Sequence, residues 1–254
     1  MKIVGVVPAR MGSSRFYGKP LHPICGRPMI EHVFERAKMF ESWTGLFLAT
    51  CDSEIQNFAQ SKDWNVIMTS NNHNRAFDRV AEAVTKCGIV MDDDDVVVCV
   101  QGDEPMLHPE MIKAVLQPLI DDKAVRCTVL AMEIESREQF LSQDTVKIVH
   151  DLKGDVLYAS RSPIPHCKEF SLALGARKIY GIFAFRWEFL KKFNSLSESP
   201  LEIAESCDSN RIRDYGFKER MAPYPYKRSY SVDRPSDISL VENAIKEDPL
   251  WGKY

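Results

Sequence analysis

A short segment near the N-terminus concentrates cationic and small side chains in a pattern suited to phosphate binding. Residues 8–20 read P-A-R-M-G-S-S-R-F-Y-G-K-P, which places Arg10, Arg15 and Lys19 beside Ser13 and two glycines. Glycines let backbone N–H groups approach phosphate oxygens, while Arg and Lys supply positive charge. Three cations in one loop are in proportion to the charge of a triphosphate. The segment is therefore predicted to hold the phosphates of a nucleotide.

The spacing of this basic segment excludes two common nucleotide-binding motifs. The Walker A motif requires Ser or Thr after its lysine, whereas Pro20 follows Lys19. The dinucleotide fingerprint requires G-x-G-x-x-G, which the segment does not contain. A solvent-exposed basic turn without a ligand is the structural alternative.

The elements around the basic segment indicate an α/β fold. The apolar run at 2–9 is typical of a strand buried on both faces, so the segment follows the end of a strand, where open α/β sheets bind ligands. Strands are predicted at 2–9, 46–50, 65–69 and 96–101, and helices at 29–40, 53–61, 78–87 and 109–120. This alternation predicts a doubly wound, mostly parallel sheet. Ser53 and Gln56 resemble a capping box for the second helix.

The pattern of elements changes after residue 125. Predicted strands at 127–134, 146–150, 155–160 and 178–185 follow one another with few helices between them, which indicates an antiparallel lobe. Helices are expected within 186–217 and at 235–246. No linker-like composition separates the two parts, so we expect one domain over 1–254. Its halves are predicted to be 1–125 for the nucleotide and 126–254 for an acceptor and for dimerisation.

Composition argues against several classes of function. Lys plus Arg number 33 and Asp plus Glu 36, and the resulting net charge of −3 disfavours a broad nucleic-acid surface. No apolar run approaches the length of a membrane span, and the N-terminal run is too short for an export signal. The seven scattered cysteines include no Cys-x-x-Cys pair, so we expect no zinc site and a cytoplasmic location. Asp92 to Asp95 precede a strand and are interpreted as a solvated turn.

Five sequence blocks span nearly the whole chain and carry a family resemblance. They are P-A-R-x-x-S-S-R-F-x-G-K-P-L from Pro8, VQGDEPM at 100–106, VKIVHDLKGDVLYASRSPIP at 146–165, LEIAESCDSNRIRDYG at 201–216 and SVDRPSDISLVE at 231–242. Together they resemble the sugar-acid cytidylyltransferases, most closely those that act on 3-deoxy-manno-octulosonate (Kdo). The resemblance implies a three-layer α/β fold like that of the nucleotide-diphospho-sugar transferases, with a smaller antiparallel lobe. It also implies transfer of CMP from CTP to an acidic sugar, with release of pyrophosphate.

The resemblance also implies roles for individual residues. Nucleotide binding falls to Arg10, Ser13, Arg15, Lys19, Asp78, Arg79 and Gln101, catalysis to Arg10, Lys19 and Asp103, Mg²⁺ binding to Asp103 and Asp233, and acceptor binding to Arg161, Glu202 and Arg211. Two carboxylates suit Mg²⁺, which completes its shell with phosphate oxygens and water. The structural alternatives are a turn-forming aspartate for Asp103 and a helix N-cap for Asp233. A homodimer and a place in lipopolysaccharide biosynthesis are implied as well.

Departures from the family pattern leave the acceptor open. The family's S-G-T-D-R reads Arg75-Ala-Phe-Asp78-Arg79 here, and its E-x-L-E-Q-L-R reads Glu205-Ser-Cys-Asp-Ser-Asn-Arg211. The strand equivalent to H-x-G-I-Y-G-Y, from Ile179 to Phe185, contains no histidine. Changing a polar contact to a sugar hydroxyl strongly alters discrimination. Another ulosonic acid or a phosphonate is therefore an alternative acceptor, and a catalytically inactive nucleotide-binding homologue is the non-enzyme alternative.

Overall fold

The computed structural model describes residues 1–13 and 15–254. The chain forms two compact units, one made of Met1–Ile112 with Arg228–Tyr254 and the other of Lys113–Lys227. The boundary differs from the predicted one at residue 125, and the last segment returns to the first unit. Among the described residues, no helix is long and apolar enough to cross a membrane.

The first unit contains a parallel sheet with strand order β6-β1-β4-β5. Its elements are β1 (Ile3–Pro8), β2 (Pro23–Ile24), β3 (Arg27–Pro28), α1 (Met29–Lys38), β4 (Gly45–Thr50), α2 (Ser53–Ser61), β5 (Val66–Met68), α3 (Ala76–Lys86) and β6 (Val96–Val100). The chain moves outward from β1 to β5 and then returns to β6 on the other side of β1. Because parallel crossovers are right-handed, α1 and α2 lie on one face of the sheet and α3 on the other. The predicted doubly wound arrangement is confirmed, and β2 and β3 add a small antiparallel pair.

The second unit contains the predicted antiparallel lobe. Helix α4 (Pro109–Asp121) leads into it. Its further elements are β7 (Cys127–Glu133), α5 (Arg137–Leu141), β8 (Lys147–His150), β9 (Val156–Ser160), β10 (Arg177–Arg186), α6 (Trp187–Asn194), α7 (Pro200–Glu205), α8 (Asn210–Asp214) and β11 (Arg220–Tyr224). Strand β10 pairs antiparallel with β7 and β8, β8 pairs antiparallel with β9, and β11 pairs parallel with β7.

The C-terminal segment belongs to the first unit because it completes a hydrophobic cluster there. Helix α9 (Asp237–Lys246) and the residue Val232 contribute to a buried group that also contains Ile24, Met29 and Met106. Each fully buried side chain of this size adds about 1.5–3 kcal/mol of hydrophobic stabilisation. Sequence periodicity predicted the helix, but it does not say which sheet the helix packs against.

Two local predictions have different outcomes. The Asp92–Asp95 cluster lies at the expected turn and is exposed at Asp92–Asp94, but Asp95 is buried, and its carboxylate accepts a hydrogen bond from the Lys2 N–H at 2.6 Å. The predicted Ser53 capping box is wrong, because the N-cap of α2 is Asp52. The Asp52 carboxylate makes no capping bond to α2 and instead accepts a hydrogen bond from the Met11 N–H at 2.8 Å.

Candidate active site

The basic segment folds as a closed loop at the carboxyl end of β1. The N–H groups of Ser13 and Gly18 both donate to the Met11 carbonyl at 3.0 Å, and Met11 is itself held by Asp52 at the end of β4. Gly18 has a φ of +73°, a conformation that glycine adopts without steric cost. The chain then turns at Lys19–Leu21. These contacts turn the loop back on itself and bring Lys19 towards the end of the sheet.

Asp103 reaches the same place from the end of β6. A Cβ atom on Gly102 would lie 2.7 Å from the Pro8 carbonyl oxygen and 3.1 Å from Ile30 Cδ1. Only glycine therefore lets the chain leave β6 this close to the end of β1. The turn places the Asp103 carboxylate 2.9 Å from Lys19 Nζ, with 27% of the Asp103 side chain exposed. Within the Gln-Gly-Asp motif, the glycine is thus required by the close approach to β1, and the aspartate supplies the carboxylate.

The C-terminal segment supplies the third part of the site. The Val232 N–H donates to the Asp103 carbonyl at 3.0 Å, and Lys19 Nζ donates to the Val232 carbonyl at 2.7 Å. Beside it, Arg15 contacts the Asp233 carboxylate at 2.7 Å, and 21% of the Asp233 side chain is exposed. Asp233 is not the N-cap of α9, which is Ser236. Three segments far apart in sequence therefore meet around two cations and two carboxylates.

The two carboxylates suit Mg²⁺. The backbones of Asp103 and Val232 are hydrogen-bonded, so Asp103 and Asp233 lie on neighbouring segments, and each carboxylate is partly exposed next to a cation. Among the residues that the structure describes, no cluster of three His, Cys, Asp or Glu side chains forms a metal site. Mg²⁺ commonly uses one or two carboxylates together with substrate phosphates and water. The donor set fits an ion whose shell is completed by a phosphorylated substrate.

The other nucleotide-binding candidates lie after β1, after β6 and in the first turn of α3. Arg10 is exposed, and its Nη1 lies 3.4 Å from the His73 carbonyl oxygen. Arg79 is buried and donates to Thr69 Oγ1 and, at 3.4 Å, to the His73 carbonyl. Ser13, Gln101 and Asp78 are partly exposed, the last in the first turn of α3. The structure thus joins Arg10 and Arg79 through His73, and Arg79 acts on the loop rather than facing solvent.

Comparison with known proteins identifies the family. Residues 4–222 match the family model described as Cytidylyltransferase. The chain belongs to the cytidylyltransferase family. The matched range includes the basic loop, Gly102 and Asp103 of the site described above, while Asp233 lies beyond it.

Relatives of this cytidylyltransferase are similar over nearly their full length. The 3-deoxy-manno-octulosonate cytidylyltransferase of Oleidesulfovibrio alaskensis is 40% identical over 244 residues, which are 96% of each chain. The enzyme of that name from Geobacter metallireducens is 36% identical, over 95% of this chain and 96% of its own. A solved CMP:2-keto-3-deoxy-manno-octonic acid synthetase in complex with CTP matches with a TM-score of 0.85 and 35% identity, over 97% and 99% of the two chains. A 4-diphosphocytidyl-2C-methyl-D-erythritol synthase, 14% identical with a TM-score of 0.64 over 96% and 99% of the two chains, shares the fold.

Two of the predicted acceptor-binding residues lie inside the second unit. Arg211 Nη2 and Nε donate to the two Glu202 carboxylate oxygens at 2.6 and 2.7 Å, in a bidentate pair. Arg211 is 1% exposed and Glu202 is fully buried, and the guanidinium also lies over the Phe193 ring. This arrangement stabilises the α7–α8 hairpin. Their placement therefore gives no support to acceptor binding, which stays a prediction.

Arg161, the third acceptor candidate, is part of a polar cluster at the end of β9. Its guanidinium donates to the carbonyls of Gln143 and Glu205 at 2.8 Å, and its N–H donates to the Glu205 carboxylate at 2.8 Å. The buried Lys147 donates to the carbonyls of Ser142, Thr145 and Arg161. Burial, together with the nearby charge of Arg161, lowers the pKa of Lys147 to about 8. The cluster holds Arg161 in one orientation, and a role in acceptor binding remains a prediction.

A cavity in the second unit was not anticipated from the sequence. Its lining includes Arg137, His166 and Lys168 together with the rings of Phe140 and Phe170. The charges of Arg137 and Lys168 together with the aromatic rings suit an anionic ligand with an apolar face. Sequence reasoning missed these residues because they are ordinary surface types without a motif.

Sequence reasoning also missed several residues of the first unit. Asp52 follows β4, and the rule that ligands bind beyond the carboxyl ends of parallel strands points to that position. His73 and Glu82 lack such a signal, because the contact between them depends on how the loop before α3 folds back. The short hydrogen bond from His73 Nε2 to Glu82 Oε2 becomes visible only in the structure.

Proposed function

We propose that the chain transfers CMP from CTP to Kdo in a Mg²⁺-dependent reaction, and that it works as a cytoplasmic homodimer. Support for the substrates comes from relatives named for this reaction at 36–40% identity and from the similar solved structure, which is a complex with CTP. The observation that carries the proposal is the meeting of Lys19 with Asp103 and Val232 at the ends of β1 and β6. A nucleotidyl transferase needs cations and carboxylates together at one point.

The reaction is a substitution at the α-phosphorus of CTP. A hydroxyl of the acceptor attacks that phosphorus, a new P–O bond forms, the bond to the bridging oxygen of the β-phosphate breaks, and the hydroxyl proton passes to water. Pyrophosphate leaves with additional negative charge. In this proposal Arg10, Arg15 and Lys19 stabilise that charge, since preorganised cations act most strongly where charge develops. Mg²⁺, when held by Asp103 and Asp233, supplies Lewis-acid polarisation of the phosphate oxygens.

The ion pairs of the site give a reason for nucleotide and metal to bind together. Without substrate, Lys19 and Arg15 neutralise Asp103 and Asp233. A triphosphate competes with the carboxylates for these cations, and its arrival makes the carboxylates available to Mg²⁺. We therefore expect each ligand to favour binding of the other.

A second acceptor class is kept because of Arg75. This residue occupies the N-cap position of α3, two residues after His73, where the family pattern has Ser. An additional cation beside the loop suits a more anionic acceptor, such as a phosphonate or another ulosonic acid. Kdo remains the first candidate because the relatives carry its name.

The test is pyrophosphate release with each of the four nucleoside triphosphates and with a panel of Kdo, other ulosonic acids and phosphonates. We expect release with CTP, Mg²⁺ and Kdo, and loss of at least about 100-fold in kcat for Asp103→Asn, because one ligand of the Mg²⁺ that polarises the reacting phosphate is removed. Asp121→Asn, at an exposed position on α4, is the matched control. Release with another nucleotide, or with CTP but only with a phosphonate, would replace the proposed substrates. If no combination of nucleotide and acceptor releases pyrophosphate, the catalytically inactive homologue is the remaining alternative.

A further inference from the structure

The loop between β5 and α3 is anchored by one carboxylate. Glu82 Oε2 accepts hydrogen bonds from the Ser70 N–H at 2.9 Å and from His73 Nε2, while Lys86 binds Oε1. Burial alone would raise the pKa of Glu82, but the hydrogen bonds from Lys86, Ser70 and His73 outweigh it and lower the pKa to about 2. Glu82 is therefore a carboxylate at neutral pH, and its charge holds the His73 ring against α3.

A buried arginine braces the same loop from the other side. Arg79 donates to Thr69 Oγ1 and to the carbonyls of Ser70 and His73, both at 3.4 Å. His73 is consequently fixed at two points, its ring by Glu82 and its carbonyl by Arg79. A loop residue held in this way has a defined carbonyl direction.

The His73 carbonyl also faces the basic loop. Arg10 Nη1 lies 3.4 Å from it, and among the described residues this is the one hydrogen bond of the Arg10 side chain. An exposed arginine has many rotamers, and their loss opposes binding when a phosphate fixes the side chain. An acceptor that already holds the side chain in one orientation reduces that loss before the ligand arrives.

We propose that His73 and Glu82 are positioning residues that orient Arg10 for the CTP phosphates. The inference rests on the proposed function, in which Arg10 contacts those phosphates. His73 and Glu82 touch no substrate in this scheme and act through the His73 carbonyl. Their effect is therefore confined to ligands that carry phosphates and disappears when Arg10 is removed.

The experiment compares binding of CTP and of cytidine in calorimetric titrations of the wild-type chain and of His73→Ala, Arg10→Ala and the double variant. We expect His73→Ala to weaken CTP binding about three- to tenfold, the range of one hydrogen bond, and to leave cytidine binding unchanged. In the Arg10→Ala background the same substitution should add less than about twofold, because contacting residues are not additive. His73→Gln, whose amide can still donate to Glu82, should bind CTP like the wild type.

Controls separate positioning from stability and from the proposed function. Lys86→Met removes a partner of Glu82 but leaves the Ser70 and His73 contacts, so its CTP affinity should match the wild type. The inference is overturned if His73→Ala binds CTP normally, weakens cytidine equally, or has its full effect without Arg10. If His73→Ala does not fold, Glu82→Gln replaces it in the same comparison and is judged by the same outcomes. A wild-type chain that binds no CTP would instead overturn the proposed function.

Discussion

Lys19 and Arg15 each contact a carboxylate that the proposal assigns to Mg²⁺. Each of these cations therefore has two alternative partners, the carboxylate and the triphosphate. The contacts, at 2.9 and 2.7 Å, involve partly exposed side chains. Pairs of this kind contribute little to stability, about 0–1 kcal/mol. We therefore expect these ion pairs to affect ligand binding more than the stability of the fold.

Arg15→Gln should strengthen metal binding by the nucleotide-free chain. Removing the cation leaves Asp233 with less competition, and we expect affinity for Mn²⁺, used as a probe for Mg²⁺, to rise up to about fivefold. The measurement is a Mn²⁺ titration followed by electron paramagnetic resonance, with Arg228→Gln, in an exposed pair with Glu247, as control. Unchanged or weaker Mn²⁺ binding by Arg15→Gln would contradict the competition.

At the scale of single residues, the sequence pointed to those that stand in a motif and missed those whose contacts depend on the fold of a loop. Lys19, Asp103 and Asp233 stand in recognisable blocks, and the structure brings them together. His73 and Glu82 stand nine residues apart, and their pairing depends on a loop whose path cannot be predicted from local preference. Glu202 and Arg211 also stand in a motif, and the structure places both residues in an internal ion pair, so their role in acceptor binding stays a prediction.

At the scale of the elements, the α7–α8 hairpin depends on one ion pair for its stability. Its two helices have six and five residues, too short to be stable alone. The buried Glu202–Arg211 pair links them. Removing one partner of a buried pair leaves an uncompensated charge, whereas replacing both with apolar side chains is often tolerated.

Arg211→Met should destabilise the protein by about 3–5 kcal/mol, and the double variant Glu202→Leu/Arg211→Met should recover most of that loss. Urea unfolding measures the free energy of unfolding, and the KM for Kdo is followed in parallel. A binding role would give the opposite pattern: an increased KM for Kdo in Arg211→Met with unfolding unchanged.

Most elements were predictable because their burial imposes a period on the sequence. The strand at 96–101 and the helix at 29–40 were predicted to within two residues of β6 and α1. The predicted Ser53 capping box is wrong because the preceding residue, Asp52, is the N-cap of α2. The Asp52 carboxylate binds the Met11 N–H rather than the helix, and local sequence does not reveal that contact. The sequence placed 228–254 in the second half of the chain, whereas this segment belongs to the first unit, because an amphipathic helix does not specify its partner.

The whole molecule should lose stability in acid. Burial favours the protonated forms of Asp95, Asp155 and Glu205, but hydrogen bonds from neighbouring groups outweigh it and lower the pKa of each, as they do for Glu82. A carboxyl group with a lowered folded pKa stabilises the native state above its unfolded pKa, and this contribution is lost as pH falls through the folded value. For Glu82 the window runs from about pH 4.5 down to about 2.

Glu82→Gln should reduce the dependence of the free energy of unfolding on pH in the acid range. The variant is expected to be less stable than the wild type at pH 7, with the difference shrinking as pH falls from 4.5 towards 2, because the protonated wild-type side chain has then lost the same interactions. Urea unfolding at a series of pH values measures it. A constant difference across that range would contradict the charged state of Glu82.

Lys147 gives the corresponding expectation on the alkaline side. Burial lowers its folded pKa to about 8, so between pH 8 and about 10.5 the unfolded chain binds more protons than the native one. This group therefore makes the free energy of unfolding rise with pH over that window. Lys147→Met should remove that rise; urea unfolding at pH 7.5, 9 and 10 measures it, and an unchanged slope would contradict the shift.

The central claim is that the loop of Lys19 and the turn of Asp103 form a site for CMP transfer, and the position of a radioactive label tests it most directly. The chain is incubated with Mg²⁺, Kdo and CTP labelled at either the α- or the γ-phosphate. The account predicts that α-label appears in a Kdo-linked product and γ-label in pyrophosphate, both abolished by Lys19→Ala. Label from the γ-position in the sugar product, α-label released only as free CMP, or full transfer by Lys19→Ala would contradict it.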